Sequence, residues 1–169
     1  LGAMAPNGED WCYYSFANGR RVHTTYWRCC KSSGAMAIEE LPAISCTQSP
    51  EGNISVNLLG PAVAEFDHPY AGRVRLQQVT RYPFDGGIVL QVAPERSARF
   101  ALSIRIPQWA EGATLQLNGQ ARSGSTAPGG YAVIEREWQA GDEVRLDLPM
   151  PAVVHRQAQQ NTQESRAPD

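Results

Sequence analysis

Along most of the chain, apolar and polar residues alternate with a period of two. The clearest run is Arg99–Pro107, where Phe100, Leu102, Ile104 and Ile106 alternate with Arg99, Ala101, Ser103 and Arg105. Successive side chains of a strand point to opposite faces, so this spacing predicts a strand with one face in a core. Asp142–Pro149 repeats it, with Val144, Leu146 and Leu148 set against Glu143, Arg145 and Asp147. Asn53–Gly60, Gly72–Pro83, Gly86–Pro94, Ala113–Gly119 and Gly130–Trp138 read the same way, less regularly. Between these runs lie turn signals: Glu51-Gly-Asn53, Asp85-Gly-Gly87, Asn118-Gly119, Pro128-Gly-Gly130 and Gly141-Asp142. Seven or so short strands with frequent turns and no helices between them predict an antiparallel β-sandwich, with a barrel as the second choice.

Residues 1 to about 47 have a different texture. They carry all four cysteines, at 12, 29, 30 and 46. They also hold the one convincing helix: Ser32 or Ser33 can cap its start, Ala37, Ile38 and Leu41 share a face, and Pro42 is expected to end it. A helix of under three turns is marginal alone and needs a neighbour to pack on. From His155 onward the chain is polar and has nothing to anchor in a core.

Composition narrows the function classes. The 169 residues suffice for one domain with a substantial core, and 42% hydrophobic and 19% charged residues describe an ordinary globular protein. The 15 Lys+Arg are scattered and offset by 17 Asp+Glu, which argues against a nucleic-acid partner. No apolar run approaches the roughly 20 residues that span a membrane. The first residues have neither the charged start nor the apolar stretch of a signal peptide, so a soluble protein of unassigned compartment is expected. The first residue is Leu1, and the expectation is a piece of something longer. Four cysteines in this arrangement do not make a secreted disulfide framework, so free or metal-bound thiols are expected.

The adjacent pair Cys29-Cys30 is the unusual feature. Neighbouring cysteines rarely bond to each other, because disulfide geometry is hard to meet across one peptide. Arg28 and Lys31 flank the pair, an electropositive setting that favours thiolate, the form that binds zinc or attacks carbon. The plainer reading is two half-buried structural thiols. Cys12 and Cys46 read as packed core thiols. His23 could line a sugar pocket or sit at the surface, and His68 and His155 are expected at the surface. Trp11, Tyr13, Tyr14, Tyr26 and Trp27 cluster near the pair, where aromatic faces either pack in a core or stack on a sugar. Trp109 and Trp138 are expected to serve as core or edge packing.

Taken in order, several short motifs resemble one family. They are Thr80 to Tyr82-Pro83 with Asp85-Gly86, Arg105-Ile-Pro107 with Trp109-Ala110, Asn118-Gly119, Tyr131, Arg136 to Trp138, Gly141-Asp142 and Leu148-Pro-Met150. Over residues 77 to 150 their order and spacing resemble the β-sandwich of the β-L-arabinofuranosidases, glycoside hydrolase family 127. The cysteine pair upstream fits the same family. The resemblance implies that the chain is an internal part of a large enzyme, in which a catalytic (α/α)6 barrel precedes β-sandwich domains. It implies a division into residues 1–47 as the end of the barrel, 48–154 as the sandwich, and 155–169 as a polar tail or truncated connection.

The resemblance also implies the chemistry. Cys29 would be the nucleophile and a zinc ligand, Cys30 a second zinc ligand, and Zn2+ the cofactor. The other ligands, a glutamate and a cysteine two residues apart, and the acid/base glutamate would lie in an earlier part of the barrel; no Glu-x-Cys occurs here. A retaining glycosidase needs a nucleophile and a group that protonates the leaving oxygen, and a thiolate can fill the first role. Glu39 and Glu40 lie well over ~10 Å along a helix from the pair, too far for the second. The run Cys29–Gly34, "CCKSSG", departs from the family, which more often follows its pair with proline and asparagine; this bears on the subfamily and the exact sugar. The expected partner is an arabinose-containing oligosaccharide or glycoconjugate, and the oligomeric state is not indicated. Two other functions compete: a carbohydrate-binding module, and a structural domain supporting a neighbouring barrel.

Overall fold

The computed structural model describes residues 28–124 and 126–154. The chain divides into two compact units, one of Pro42–Ala152 and one of Leu1–Leu41 with Val153–Asp169. Within the described residues it contains one helix, α1 (Arg28–Ser45), and ten strands: β1 (Cys46–Gln48), β2 (Ile54–Val56), β3 (Ala62–His68), β4 (Gly72–Thr80), β5 (Gly87–Pro94), β6 (Ala98–Arg105), β7 (Thr114–Leu117), β8 (Gln120–Ala121), β9 (Tyr131–Trp138) and β10 (Asp142–Asp147).

The strands form two sheets, one ordered β1-β2-β6-β9 and the other β3-β4-β5-β10-β7-β8. The chain passes from one to the other five times, between β2 and β3, β5 and β6, β6 and β7, β8 and β9, and β9 and β10, so the two sheets are laced together as a sandwich. One pair departs from the antiparallel expectation: β2 runs parallel to β6, with Ser55 opposite Ser103. Parallel neighbours need a long connection, and the 41 residues between these strands include the whole β3–β4–β5 meander.

The alternation does what its period requires. Phe100, Leu102 and Ile104 of β6 are buried with Ile54 and Val56 of β2 and Ile134 and Trp138 of β9. Val74, Leu76, Ile88, Leu90, Val144 and Leu146 of the other sheet are buried in the same core. The outer face of the larger sheet is charged, with ion pairs Arg75–Glu65 at 4.0 Å and Arg145–Asp147 at 2.8 Å on exposed side chains. Such pairs add about 0–1 kcal/mol and mark this face as solvated. The smaller sheet instead carries a row of Thr47, Ser55, Ser103 and Val133 across its outer face.

Turn chemistry fixes the ends. At the β7–β8 hairpin Asn118 and Gly119 both take positive φ, 50° and 77°, as a two-residue hairpin turn demands. The β9–β10 turn closes on buried Asp142, which accepts from Asn118 Nδ2 at 2.8 Å and from the Gln139 amide at 2.9 Å. Arg136 pairs with it at 3.3 Å and lies over the Trp138 ring at 5.3 Å. In the β4–β5 turn, a Cβ at Gly86 would fall on the Leu148 carbonyl oxygen, whose residue donates its own amide to Gly86 O at 2.9 Å. Gly86→Ala must push two backbones apart, and a loss of about 1–3 kcal/mol is expected by urea unfolding. An unchanged midpoint would show that the turn has slack.

Three expectations change. Within the described residues helix α1 covers Arg28–Ser45, 18 residues or about five turns, and runs straight through Pro42. Proline removes one intrahelical bond, but the helix continues for a further turn, where Ser45 Oγ donates back to Pro42 O at 2.9 Å and Asn57 Nδ2 donates to Ile44 O at 3.0 Å. Ser32 is not a cap: its hydroxyl donates to the Cys29 carbonyl at 3.1 Å from within the helix. His68 is not at the surface. It is 4% exposed and packs on Phe100 with ring centroids 4.7 Å apart.

His68 Nδ1 accepts from the amides of Tyr70 at 3.2 Å and Ala71 at 3.0 Å, so the proton of the neutral ring sits on Nε2, facing Gly52. Burial pushes its pKa below the usual histidine value, and Nε2 is enclosed without a hydrogen-bond partner among the described residues. The neutral form is therefore favoured by folding. The unfolded chain takes up the proton first, near pH 6.5, so this contribution is complete above that pH and is lost as pH falls below it. Unfolding midpoints at pH 7.5 and 5 are expected to differ more in the native sequence than in His68→Gln; equal differences would contradict this.

Candidate functional site

The site predicted from sequence lies at the start of α1. Cys29 and Cys30 occupy its first turn, so the pair is within the helix rather than before it. Cys29 is exposed. Glu39 and Glu40 are exposed on the same helix and lie 10 and 11 residues after Cys29, roughly 15 Å along the axis.

Cys46 is a different kind of thiol. It is buried at the start of β1, with Gln78 Nε2 donating to its sulfur at 3.7 Å, and burial pushes its pKa up. A thiol held protonated in a core is a packing residue, as the sequence indicated. Trp138 is likewise core, fully buried with Nε1 donating to Phe100 O at 3.0 Å. Trp109 is 48% exposed in the turn after β6. Cys12, His23, His155 and the cluster of Trp11, Tyr13, Tyr14, Tyr26 and Trp27 lie outside the described residues.

Among the described residues no three of His, Cys, Asp and Glu converge on one point. Zinc takes four ligands, or three and a water. An exposed thiol in a helix's first turn has the donor chemistry zinc prefers, so Cys29 fits as one member of such a set, and the described residues do not complete it. No helix among them is long and apolar enough to cross a membrane.

The sandwich carries the decisive comparison. The model of the β-L-arabinofuranosidase GH127 middle domain matches residues 53–150, from the residue before β2 to just beyond β10. The chain belongs to the GH127 β-L-arabinofuranosidase family. Solved structures agree with the assignment. A protein described as a glycoside hydrolase is 28% identical, with a TM-score of 0.75 over 89% of this chain. Ara127N-Se, a GH127 β-L-arabinofuranosidase from Geobacillus stearothermophilus T6, is 28% identical with a TM-score of 0.77. The GH127 β-arabinofuranosidase BT3674, 24% identical with a TM-score of 0.77, shares the fold. This GH127 chain spans about a quarter of each of those proteins, 27%, 26% and 26% of their lengths. No curated protein matches it. The family is one of glycoside hydrolases, and this chain is a partial middle domain of it.

Sequence reasoning missed one other feature of the GH127 domain. The β4–β5 turn and the turn after β6 bring Tyr82 and Trp109 together as parallel rings, 4° apart in plane with centroids at 6.5 Å. The two positions are 27 residues apart, and only the pairing of the sheets makes them neighbours.

Proposed function

We propose that the chain is part of a retaining β-L-arabinofuranosidase in which Cys29 is the nucleophile. Residues 1–47 are the end of its catalytic helical barrel, 48–154 its β-sandwich, and 155–169 a polar tail or truncated connection. The observation that carries the reading is the GH127 match over residues 53–150 on a chain whose preceding helix opens with an exposed cysteine beside a second one. Cys29 attacks the anomeric carbon as an acid elsewhere in the parent protonates the leaving oxygen, and water then releases arabinose from the glycosyl thioether with the starting configuration. Cys29 and Cys30 would hold Zn2+ together with donors from an earlier part of the parent. Bound there, zinc keeps a thiol deprotonated and fixes the sulfur's position.

The substrate is an arabinose-containing oligosaccharide or glycoconjugate. The test is turnover of an aryl β-L-arabinofuranoside by the full-length parent, with the anomer first formed followed by NMR. The β-anomer as first product is expected. An inverted first product would exclude a covalent route through Cys29, and an inert parent would remove the arabinoside reading.

A further inference from the structure

The Pro42–Ala152 unit carries an open depression of about 340 Å³ lined by Asn57, Leu58, Leu59, Tyr82, Arg105 and Pro107. Beside it stands Trp109, half-exposed and parallel to Tyr82. We propose that this groove is a second glycan site, which binds a sugar ring of the substrate away from the bond that is cleaved. The proposal rests on the arabinosidase reading for the identity of the glycan, but not for the existence of the site.

The chemistry of the lining supports a neutral sugar. Ring C–H faces of sugars are apolar and settle on the electron-rich face of an aromatic ring, and Trp109 is a half-exposed indole beside the groove. Ligand grooves combine such surface with a few polar groups that fix orientation. Asn57 is not one of them, because its amide is already used: Nδ2 donates to Ile44 O at 3.0 Å and Thr47 Oγ1 at 3.1 Å, and Oδ1 accepts from the Tyr131 hydroxyl at 2.8 Å. Arg105 is available. It is exposed, and among the described residues it makes no ion pair and no carboxylate lines the groove with it. Its planar fork of donors suits a pair of neighbouring hydroxyls. Among the described residues no aspartate, glutamate or histidine lines the groove, which suits binding rather than cleavage.

The platform is held before any ligand arrives. The Tyr82 amide donates to Thr80 Oγ1 at 2.9 Å, that hydroxyl donates to Gly87 O at 2.6 Å, and the Phe84 amide closes the turn on Arg81 O at 2.8 Å. Across from it the buried Ala110 donates to Pro107 O at 3.0 Å and sets the turn bearing Trp109. A preset aromatic pair loses little conformational freedom on binding, which favours weak ligands such as sugars.

The test titrates the 169-residue chain with a neutral arabino-oligosaccharide and, separately, an oligogalacturonide, following indole N–H signals by NMR. The neutral sugar is expected to shift the Trp109 signal. Trp109→Ala should weaken binding about tenfold or more, Arg105→Gln by a smaller factor, and neither should change the unfolding midpoint. In the parent, Trp109→Ala is expected to raise KM on the arabinose-containing oligosaccharide and leave an aryl glycoside unaffected. No indole shift, binding confined to the acidic oligosaccharide, or equal affinity in Trp109→Ala would overturn the proposal. So would an unchanged KM in the parent, which is the result if another domain covers the groove. Sugar binding in the chain beside an inert parent would uphold the site and sink the arabinosidase reading instead.

Discussion

Replacing Cys29 by serine in the full-length parent is expected to lower arabinoside turnover on the order of 10⁴-fold while leaving the protein folded. Serine keeps the shape and removes the chemistry. Its hydroxyl is not ionised near neutral pH, is a weaker nucleophile than a thiolate, and is a poor ligand for a thiol-binding metal. Cys29 is exposed on the helix surface, so the exchange leaves no cavity behind. Cys46→Ser is the matched control. That sulfur is buried at the start of β1, and its loss should cost stability without touching turnover. Turnover of Cys29→Ser at the native rate would remove the cysteine from the mechanism.

The second large effect is on the fold. Trp138→Ala is expected to destabilise the sandwich by about 3–5 kcal/mol, measured by urea unfolding. The indole is fully buried and packs on Phe100 with centroids 5.9 Å apart. Its Nε1 donates to Phe100 O, and its ring carries the Arg136 guanidinium that pairs with Asp142. Truncation therefore empties a large volume of core and loosens the β9–β10 turn together. Domains are stable by about 5–15 kcal/mol, so this one change takes a large share. Trp138→Phe keeps most of the volume and loses the hydrogen bond, and about 1–3 kcal/mol is expected. A loss below about 1 kcal/mol for Trp138→Ala would mean that the core closes over the gap, which the interlock of β6 and β9 argues against.

How much of this was legible in the sequence depended on how strongly each segment's own residues determined its structure. β6 and β10 could be read directly, because large apolar residues alternate at every step with small, polar or charged ones. β3 was not predicted, because only Phe66 among its inward positions is large and apolar, beside small Ala64 and polar His68, while apolar Val63 faces outward with Glu65 and Asp67. Pro42 misled for a physical reason: a missing amide breaks one hydrogen bond, and the anchoring of Ile44 by Asn57 across 13 residues was not visible locally. The burial of His68 likewise depends on Gly52 and Phe100, distant in sequence. Cys29 and Cys30 stood out as a pair, but their proposed chemistry came through the resemblance of the sandwich downstream. The Tyr82–Trp109 pair depends on two turns meeting, and no local pattern announces it.

The most direct measurement is to treat the full-length parent with an arabinofuranose-shaped electrophile that reacts with thiols, then map the adduct by peptide mass spectrometry. A single adduct on the peptide holding Cys29, blocked by excess arabinose and absent in Cys29→Ser, is the predicted result. An adduct on a carboxylate peptide, or labelling spread evenly over Cys12, Cys29, Cys30 and Cys46, would contradict a cysteine nucleophile at the start of α1.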